Sequence, residues 1–218
     1  MTLLAIRLLL SYLLGGVVGS LLLGRLRGVD IRRAGSGNAG ATNALRTQGW
    51  PFALGVAAID VGKGVIAALG IAALPVPGTE PAALSAAATG LACGVAAALG
   101  HCFPLWHGFR GGKGAGTLFG AVLALFPGLA LAMLGVWLLV LTGTGFVGLS
   151  TVVAGIAFPL LLLATPLRGD TPLVMSTLLA AALVVWMHRG NLARLRAGTE
   201  PRFERARILA RLLRRRDT

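Results

Sequence analysis

Groups able to bind or activate an anionic substrate are concentrated in three stretches of the chain. The first runs from Arg32 to Arg46 and reads RRAGSGNAGATNALR, setting Ser36, Asn38, Thr42 and Asn43 among closely spaced glycines, with arginines at 32, 33 and 46. Such a segment can turn sharply and offer backbone N–H groups, hydroxyls, amides and guanidinium forks together, which is the donor set a phosphate dianion requires. The second, GHCFPLWHGFRGGKGAGT from Gly100 to Thr117, places His101, His107, Arg110 and Lys113 around Gly111, Gly112 and Gly114. A lysine between glycines can approach an anion closely, and the aromatic residues nearby suit the headgroup level of a bilayer. The third begins His188-Arg189-Gly190-Asn191 and continues through RLRAGTEPRF into an arginine-rich end. His101 is a candidate general base or positioned donor, while His107 beside Trp106 reads equally well as an interfacial surface residue.

A fourth signal lies inside an apolar run. Asp60 and Lys63 stand at i, i+3, close enough on one helix face to pair, and ionisable groups at that depth either serve function or lock helix packing.

Two familiar phosphate signatures fail on context. Gly35-Ser36-Gly37-Asn38-Ala39-Gly40 matches G-x-G-x-x-G, with Asp60 near the spacing of a ribose-binding acid, but a dinucleotide site needs flanking strands and here both neighbours are apolar spans. The GGKG stretch is not a nucleoside-triphosphate loop, because His107 occupies the first glycine position and Gly114 replaces the hydroxyl residue that would hold magnesium.

The elements that position these loops are membrane spans. Of 218 residues 56% are hydrophobic and 12% charged, with a mean hydropathy of +0.83, outside the range of an ordinary soluble domain. Apolar runs fall at roughly 3–24, 51–74, 82–100, 115–142, 146–166 and 172–187, most of them near the ~20 residues a spanning helix needs. The formal charge of +13 fits basic loops gathered on the cytoplasmic side better than nucleic-acid binding, for which no fold motif is present. Cys93 and Cys102 lack metal-ligand spacing and read as small buried hydrophobes. The first apolar run is interrupted by Arg7, lacks a small-residue cleavage site, and is expected to remain as a span.

Charge placement bears on the number of crossings. Arg25, Arg27, Arg32, Arg33 and Arg46 mark residues 25–49 as cytoplasmic, and ten arginines after His188 mark the C-terminal end likewise. An outside N-terminus and an inside C-terminus require an odd count, so the run 115–142 is expected to break at Pro127-Gly128 into two short crossings, giving seven. The expectation is a single all-α polytopic membrane domain over 1–218, with a basic cytoplasmic tail at 204–218 and an amphipathic helix over Arg205–Arg216 lying on anionic lipid.

SGNAGATN followed by Arg46, Asp60-x-x-Lys63-Gly64, GHCFPLWHGFRGGKG and HRGNLARLRAGTE resemble, in order and separation, the cytoplasmic motifs of the bacterial acyl-phosphate-dependent glycerol-3-phosphate acyltransferases. The resemblance spans nearly the whole chain. It implies seven spans with the N-terminus outside, a multi-pass protein of the bacterial plasma membrane with its site facing the cytoplasm, and transfer of a fatty acyl group from acyl phosphate to the 1-hydroxyl of sn-glycerol 3-phosphate, forming lysophosphatidic acid and phosphate. Its partners would be those two substrates and membrane lipid, without cofactor or metal. One departure stands out. The family's usual serine before a later span is Gly148 here, with Thr144, Ser150 and Thr151 as nearby hydroxyls.

On that reading Lys113, Arg46 and the Ser36–Asn38 segment bind phosphate, with Gly37, Thr42, Asn43, Gly111, Gly112 and Gly114 shaping the substrate site. His188 and Asn191 orient the attacking hydroxyl, and His101 is the reserve base. An acyl phosphate is already activated, so the site needs orientation and charge stabilisation more than an elaborate nucleophile. The acyl-CoA-dependent class places an Asp after a His with four residues between, and the residues so placed after His101, His107 and His188 are Trp106, Gly112 and Ala193. A phosphate transporter would call for inverted repeats between the halves, and the sequence has no such repeat.

Overall fold

A computed structural model describes residues 3–75 and 84–208, and every regular element among them is helical. The first apolar run is not one continuous helix. It forms α1 (Leu3–Gly15) and α2 (Gly19–Leu26), interrupted at Gly16–Val18. The short polar helix α3 (Ala41–Gln48) follows, and α4 (Trp50–Val65) continues into a π-helical turn over Ile66–Ile71. Ser85 starts α5 (Ala86–Cys102) by accepting the amide of Ala88 at 3.0 Å, as an N-cap side chain should.

The break expected within 115–142 is present: α6 (Ala115–Leu125) and α7 (Pro127–Thr144) are separated by Phe126, whose backbone (φ −140°, ψ 68°) leaves the helical region. Proline fits the first position of α7 because the amide it lacks would have no helical partner there. The remaining helices are α8 (Val147–Leu163), α9 (Thr171–Met187) and α10 (Arg189–Arg196). Asp170 caps α9 by accepting the amide of Leu173 at 3.0 Å. Between α9 and α10 the chain bends by 52°.

Four helical stretches are long and apolar enough to cross a bilayer, namely Leu3–Leu26, Trp50–Ile71, Ala86–His107 and Pro127–Thr144, with a fifth if α9 and α10 count together. The 11 residues of α6 reach only ~16 Å at the helical rise, about half of a ~30 Å hydrocarbon core. The 17 residues of α8 reach ~25 Å.

Within the bundle α1 packs on α5, α4 on α6, α7 on α8, α8 on α9, and α9 on α5. Leu91, Val122, Phe158, Leu162 and Leu173 form the largest buried cluster. Small residues bring the helices together: a Cβ at Gly64 would strike the Thr117 carbonyl, and one at Gly100 the Tyr12 carbonyl. That close approach is how helices associate where lipid removes the hydrophobic drive. The outer face stays apolar, with Leu131, Leu139 and Leu160 each more than three-fifths exposed, as a lipid-facing surface requires.

Cys93 and Cys102 are free and buried. The tail ends its described course at a short 3-10 turn, Glu204–Ala206, and Ile208. Most of the amphipathic helix expected over Arg205–Arg216, and the connection at 76–81, lie outside the described residues.

Candidate active site

The three chemical stretches converge on one cavity of about 620 Å³. Ser36, Asn38, Thr42, Asn43 and Arg46 line it from the first loop and α3, His101, Lys113 and Gly114 from the second, and His188 and Asn191 from the α9–α10 bend. Of the expected site residues, Gly37, Gly111 and Gly112 stand behind the wall; Gly111 and Gly112 line a separate surface depression with Phe109 and Arg110.

The first loop is shaped by Asn43. Its buried amide donates to the carbonyls of Ile31 (2.9 Å) and Ala34 (3.0 Å) and accepts the Ser36 N–H (2.9 Å), which uses both of its donors and one acceptor position on the loop itself. Gly35 is required at this turn. Its φ is +61°, and a Cβ there would collide with the Asn43 amide oxygen. Arg32 joins this loop to the second, pairing with Asp30 at 2.8 Å and donating to the Arg110 carbonyl at 3.0 Å.

Several amides that the sequence reading offered to an anion have protein acceptors instead. Besides Ser36 N–H, the Gly37 amide donates to Ala34 O (3.2 Å), Gly111 to Cys102 O (3.1 Å) and Gly112 to His101 O (3.1 Å). The glycines serve loop geometry, and the cavity's charge comes from side chains.

Lys113 lies on the cavity wall and donates to the Asn191 side-chain oxygen. Burial pushes its ammonium down to about 8, with the positive charges of Arg194 and Arg46 adding to that shift and Glu200 opposing it. Asn191 in turn donates from Nδ2 to Glu200 Oε1 at 2.6 Å, and Glu200 Oε2 pairs with Arg194 Nε at 2.8 Å. The chain Lys113–Asn191–Glu200–Arg194 therefore fixes both catalytic candidates from behind. Glu200, Arg194 and Arg202 also line the cavity; none was among the expected site residues, although Arg194 and Glu200 lie within the HRGNLARLRAGTE motif.

His188 is buried, and its Nδ1 lies 2.8 Å from the Val184 carbonyl. A carbonyl only accepts, so Nδ1 carries a proton, and when the ring is neutral its lone pair is on Nε2. Arg189 turns away to lie over Trp186, 4.5 Å from the ring centre. His107 lies outside the cavity beside Asp30, Arg32 and Arg110.

Gly148, in the first turn of α8, lies directly against Asn191, where a Cβ would sit 2.8 Å from the Asn191 side chain. The nearby hydroxyls are engaged along their own helices: Thr144 with Val140 O, Ser150 with Phe146 O and Thr151 with Val147 O.

The cavity adjoins an apolar slot of about 260 Å³ between α6, α7, α8 and α9, walled by Phe119, Met133, Leu134, Trp137, Ala154 and Val184. Ala115, Gly116 and Thr151 border both spaces.

Fold and site together define a helical, multi-pass membrane protein with a cationic polar pocket joined to an apolar slot. The sequence model of the family described as glycerol-3-phosphate acyltransferase matches residues 5–198. A glycerol-3-phosphate acyltransferase of Synechococcus sp. (strain CC9902) is 42% identical over 203 residues, covering 90% of this chain and 93% of the relative. Glycerol-3-phosphate acyltransferase 1 of Deinococcus radiodurans is 43% identical over 196 residues, with 90% and 93% covered. The crystal structure of PlsY (YgiH), an integral membrane glycerol 3-phosphate acyltransferase in its glycerol 3-phosphate form, superposes with a TM-score of 0.79 at 32% identity, covering 92% of this chain and 95% of that one. Its lysophosphatidic acid form gives 0.78 at 31% identity, with 94% and 98% covered. The chain belongs to the glycerol-3-phosphate acyltransferase family.

Proposed function

We propose that the protein transfers a fatty acyl group from acyl phosphate to the 1-hydroxyl of sn-glycerol 3-phosphate, releasing lysophosphatidic acid and inorganic phosphate. The observation that carries this reading is the junction of the two spaces: a pocket with Lys113, Arg46 and Arg194 on its walls opens beside a slot lined by aliphatic and aromatic side chains. A substrate with a phosphate head and a long acyl tail matches that combination, and the carbonyl between them would lie near the shared border at Ala115, Gly116 and Thr151.

In this mechanism Lys113 and Arg46 hold phosphate groups, assisted by Ser36, Asn38 and Thr42. Asn191 and His188 Nε2 orient the attacking hydroxyl. Its oxygen adds to the acyl carbonyl, the bond to the phosphate oxygen breaks, and the hydroxyl proton passes to His188 or to the departing phosphate. Lys113, already placed beside Asn191, offsets charge on the leaving group without reorganisation.

The shared cavity also supports seven crossings with the N-terminus outside and the site facing the cytoplasm of a bacterial plasma membrane. The loops around Arg46, Lys113, Gly148 and Asn191 border one space, which favours one side of the bilayer for all four and an even number of crossings between each pair. Between Lys113 and Gly148 that condition is met when α6 and α7 each cross. The arginines of residues 25–49 and of the tail favour the cytoplasm as that side.

Purified protein in detergent, given palmitoyl phosphate and glycerol 3-phosphate, should form lysophosphatidic acid. Folded protein that forms none under any ratio of the two substrates would refute the assignment.

A further inference from the structure

On the wall of the pocket Asp60 and His101 meet Lys63 inside the bundle, and the acyl transfer described above needs none of their charges. Lys63 Nζ is 3.1 Å from Asp60 Oδ1 and 2.8 Å from His101 Nδ1, which itself lies 3.3 Å from Asp60 Oδ1. Their side chains are 3%, 7% and 4% exposed. Ions are tolerated at such depth only when paired and hydrogen-bonded, and these groups are held by one another and by backbone atoms.

Those backbone atoms lie at the break in the first span. The interruption after Gly15 strips carbonyls at the end of α1 and amides at the start of α2 of helical partners. Lys63 donates to Gly15 O and Val17 O, both at 2.9 Å, while Asp60 accepts the Gly19 N–H at 3.1 Å. Each charge meets the helix end of opposite partial charge.

Two connections lead from these residues to the anion-binding loops. Ser20, next to Gly19 and fully buried, donates to the Ala39 carbonyl at 2.9 Å, and Val18 and Leu21 pack on Ala39, the neighbour of Asn38. On the other side the His101 carbonyl accepts the Gly112 amide, and the imidazole fills the space where a Gly112 Cβ would go, one residue before Lys113. His101 Nδ1 faces both the Lys63 ammonium and the Asp60 carboxylate, so this ring nitrogen is held within the cluster in either tautomer.

We infer that Asp60, Lys63 and His101 form one positioning unit that holds the Asn38 loop and the Lys113 loop at the separation needed to grip a phosphate group between them. The inference rests on the phosphate-binding role assigned to the pocket.

Removing one partner would strand a buried charge, so the test uses an uncharged pair, Asp60→Asn with Lys63→Gln, and independently His101→Asn. Binding of inorganic phosphate is followed by 31P line broadening, and KM and kcat for glycerol 3-phosphate are measured on the same monodisperse protein. Both variants should weaken phosphate binding and raise KM by about tenfold, equivalent to ~1.4 kcal/mol, with unfolding midpoints close to that of the parent. A purely structural unit would lower kcat through loss of folded enzyme and leave KM and phosphate affinity unchanged, and that result in either variant overturns the inference. Should the parent protein bind phosphate yet acylate nothing, the acyltransferase reading fails while the phosphate comparison still decides the positioning role. A parent that binds no phosphate overturns both.

Discussion

Lys113 and Asn191, 78 positions apart, share a hydrogen bond across the pocket, so the residue expected to hold phosphate and the residue expected to orient the hydroxyl are fixed by one another. Lys113→Ala should therefore lower kcat/KM by at least about 100-fold, the order seen when a preorganised donor is lost from an active site. Size-exclusion behaviour in detergent should be unchanged. Near-parental turnover in folded Lys113→Ala protein would remove this residue from the mechanism.

The same lysine sets an alkaline limit. Its ammonium titrates at about 8, below the ordinary 10.5, and only the charged form attracts phosphate. KM for glycerol 3-phosphate should rise as pH passes upward through about 8, and fall back on acidification. Lys113→Arg keeps its charge throughout that range, so its KM should lose this dependence even though the changed geometry lowers kcat. A steady-state pH series on the two proteins checks both statements.

Glu200 reaches Asn191 and Arg194 with separate oxygens. Glu200→Ala should cost about 1.5–3 kcal/mol of transition-state stabilisation, roughly 10- to 100-fold in kcat/KM, as for loss of a charge-assisted hydrogen bond. Glu200→Gln retains an acceptor for Asn191 and should recover part of it. Equal loss in the two variants would argue that charge alone matters.

Gly148 offers a counterintuitive test. The family resemblance leads one to expect serine there, yet in this chain a Cβ would press within 2.8 Å of the Asn191 side chain. Gly148→Ser should displace Asn191 and reduce kcat by about tenfold or more, since misplacement of ~1 Å can cost ~10²-fold. Increased activity would mean that Asn191 yields readily and that a hydroxyl is wanted.

The apolar slot predicts a change of donor preference. Met133 and Leu134 wall it on α7, and Met133→Trp should fill part of its 260 Å³. Rates with palmitoyl phosphate should fall more than rates with decanoyl phosphate, because each CH2 excluded from the slot forfeits about 0.8 kcal/mol of burial. A uniform loss across chain lengths would place the acyl tail elsewhere.

Much of this site was legible because polar residues stand out in an apolar chain. Arg46, Lys113, His188 and Asn191 could be singled out against long hydrophobic runs, and Pro127 revealed the end of α6 through its missing amide. Glu200 was hidden by its setting: it closes the HRGNLARLRAGTE motif as one acid among arginines, and neither its type nor its spacing shows that it faces Asn191. The interruption at Gly16–Val18 was equally hidden, because Gly-Gly-Val-Val is as apolar as the helix around it and its partners, Asp60 and Lys63, lie more than 40 positions away. Asn43 was recognised as important but given to the substrate; the backbone it satisfies is the loop's own.

In the proposed mechanism acyl phosphate is the donor and glycerol 3-phosphate the acceptor of one coupled transfer. The most direct measurement follows phosphate and lysophosphatidic acid together, using purified protein in lipid bilayers supplied with glycerol 3-phosphate and either palmitoyl phosphate or palmitoyl-CoA. One phosphate released per lysophosphatidic acid formed, only with palmitoyl phosphate and only when glycerol 3-phosphate is present, is the predicted result. Lysophosphatidic acid formed equally well from palmitoyl-CoA, or phosphate released without lysophosphatidic acid, would rule that mechanism out.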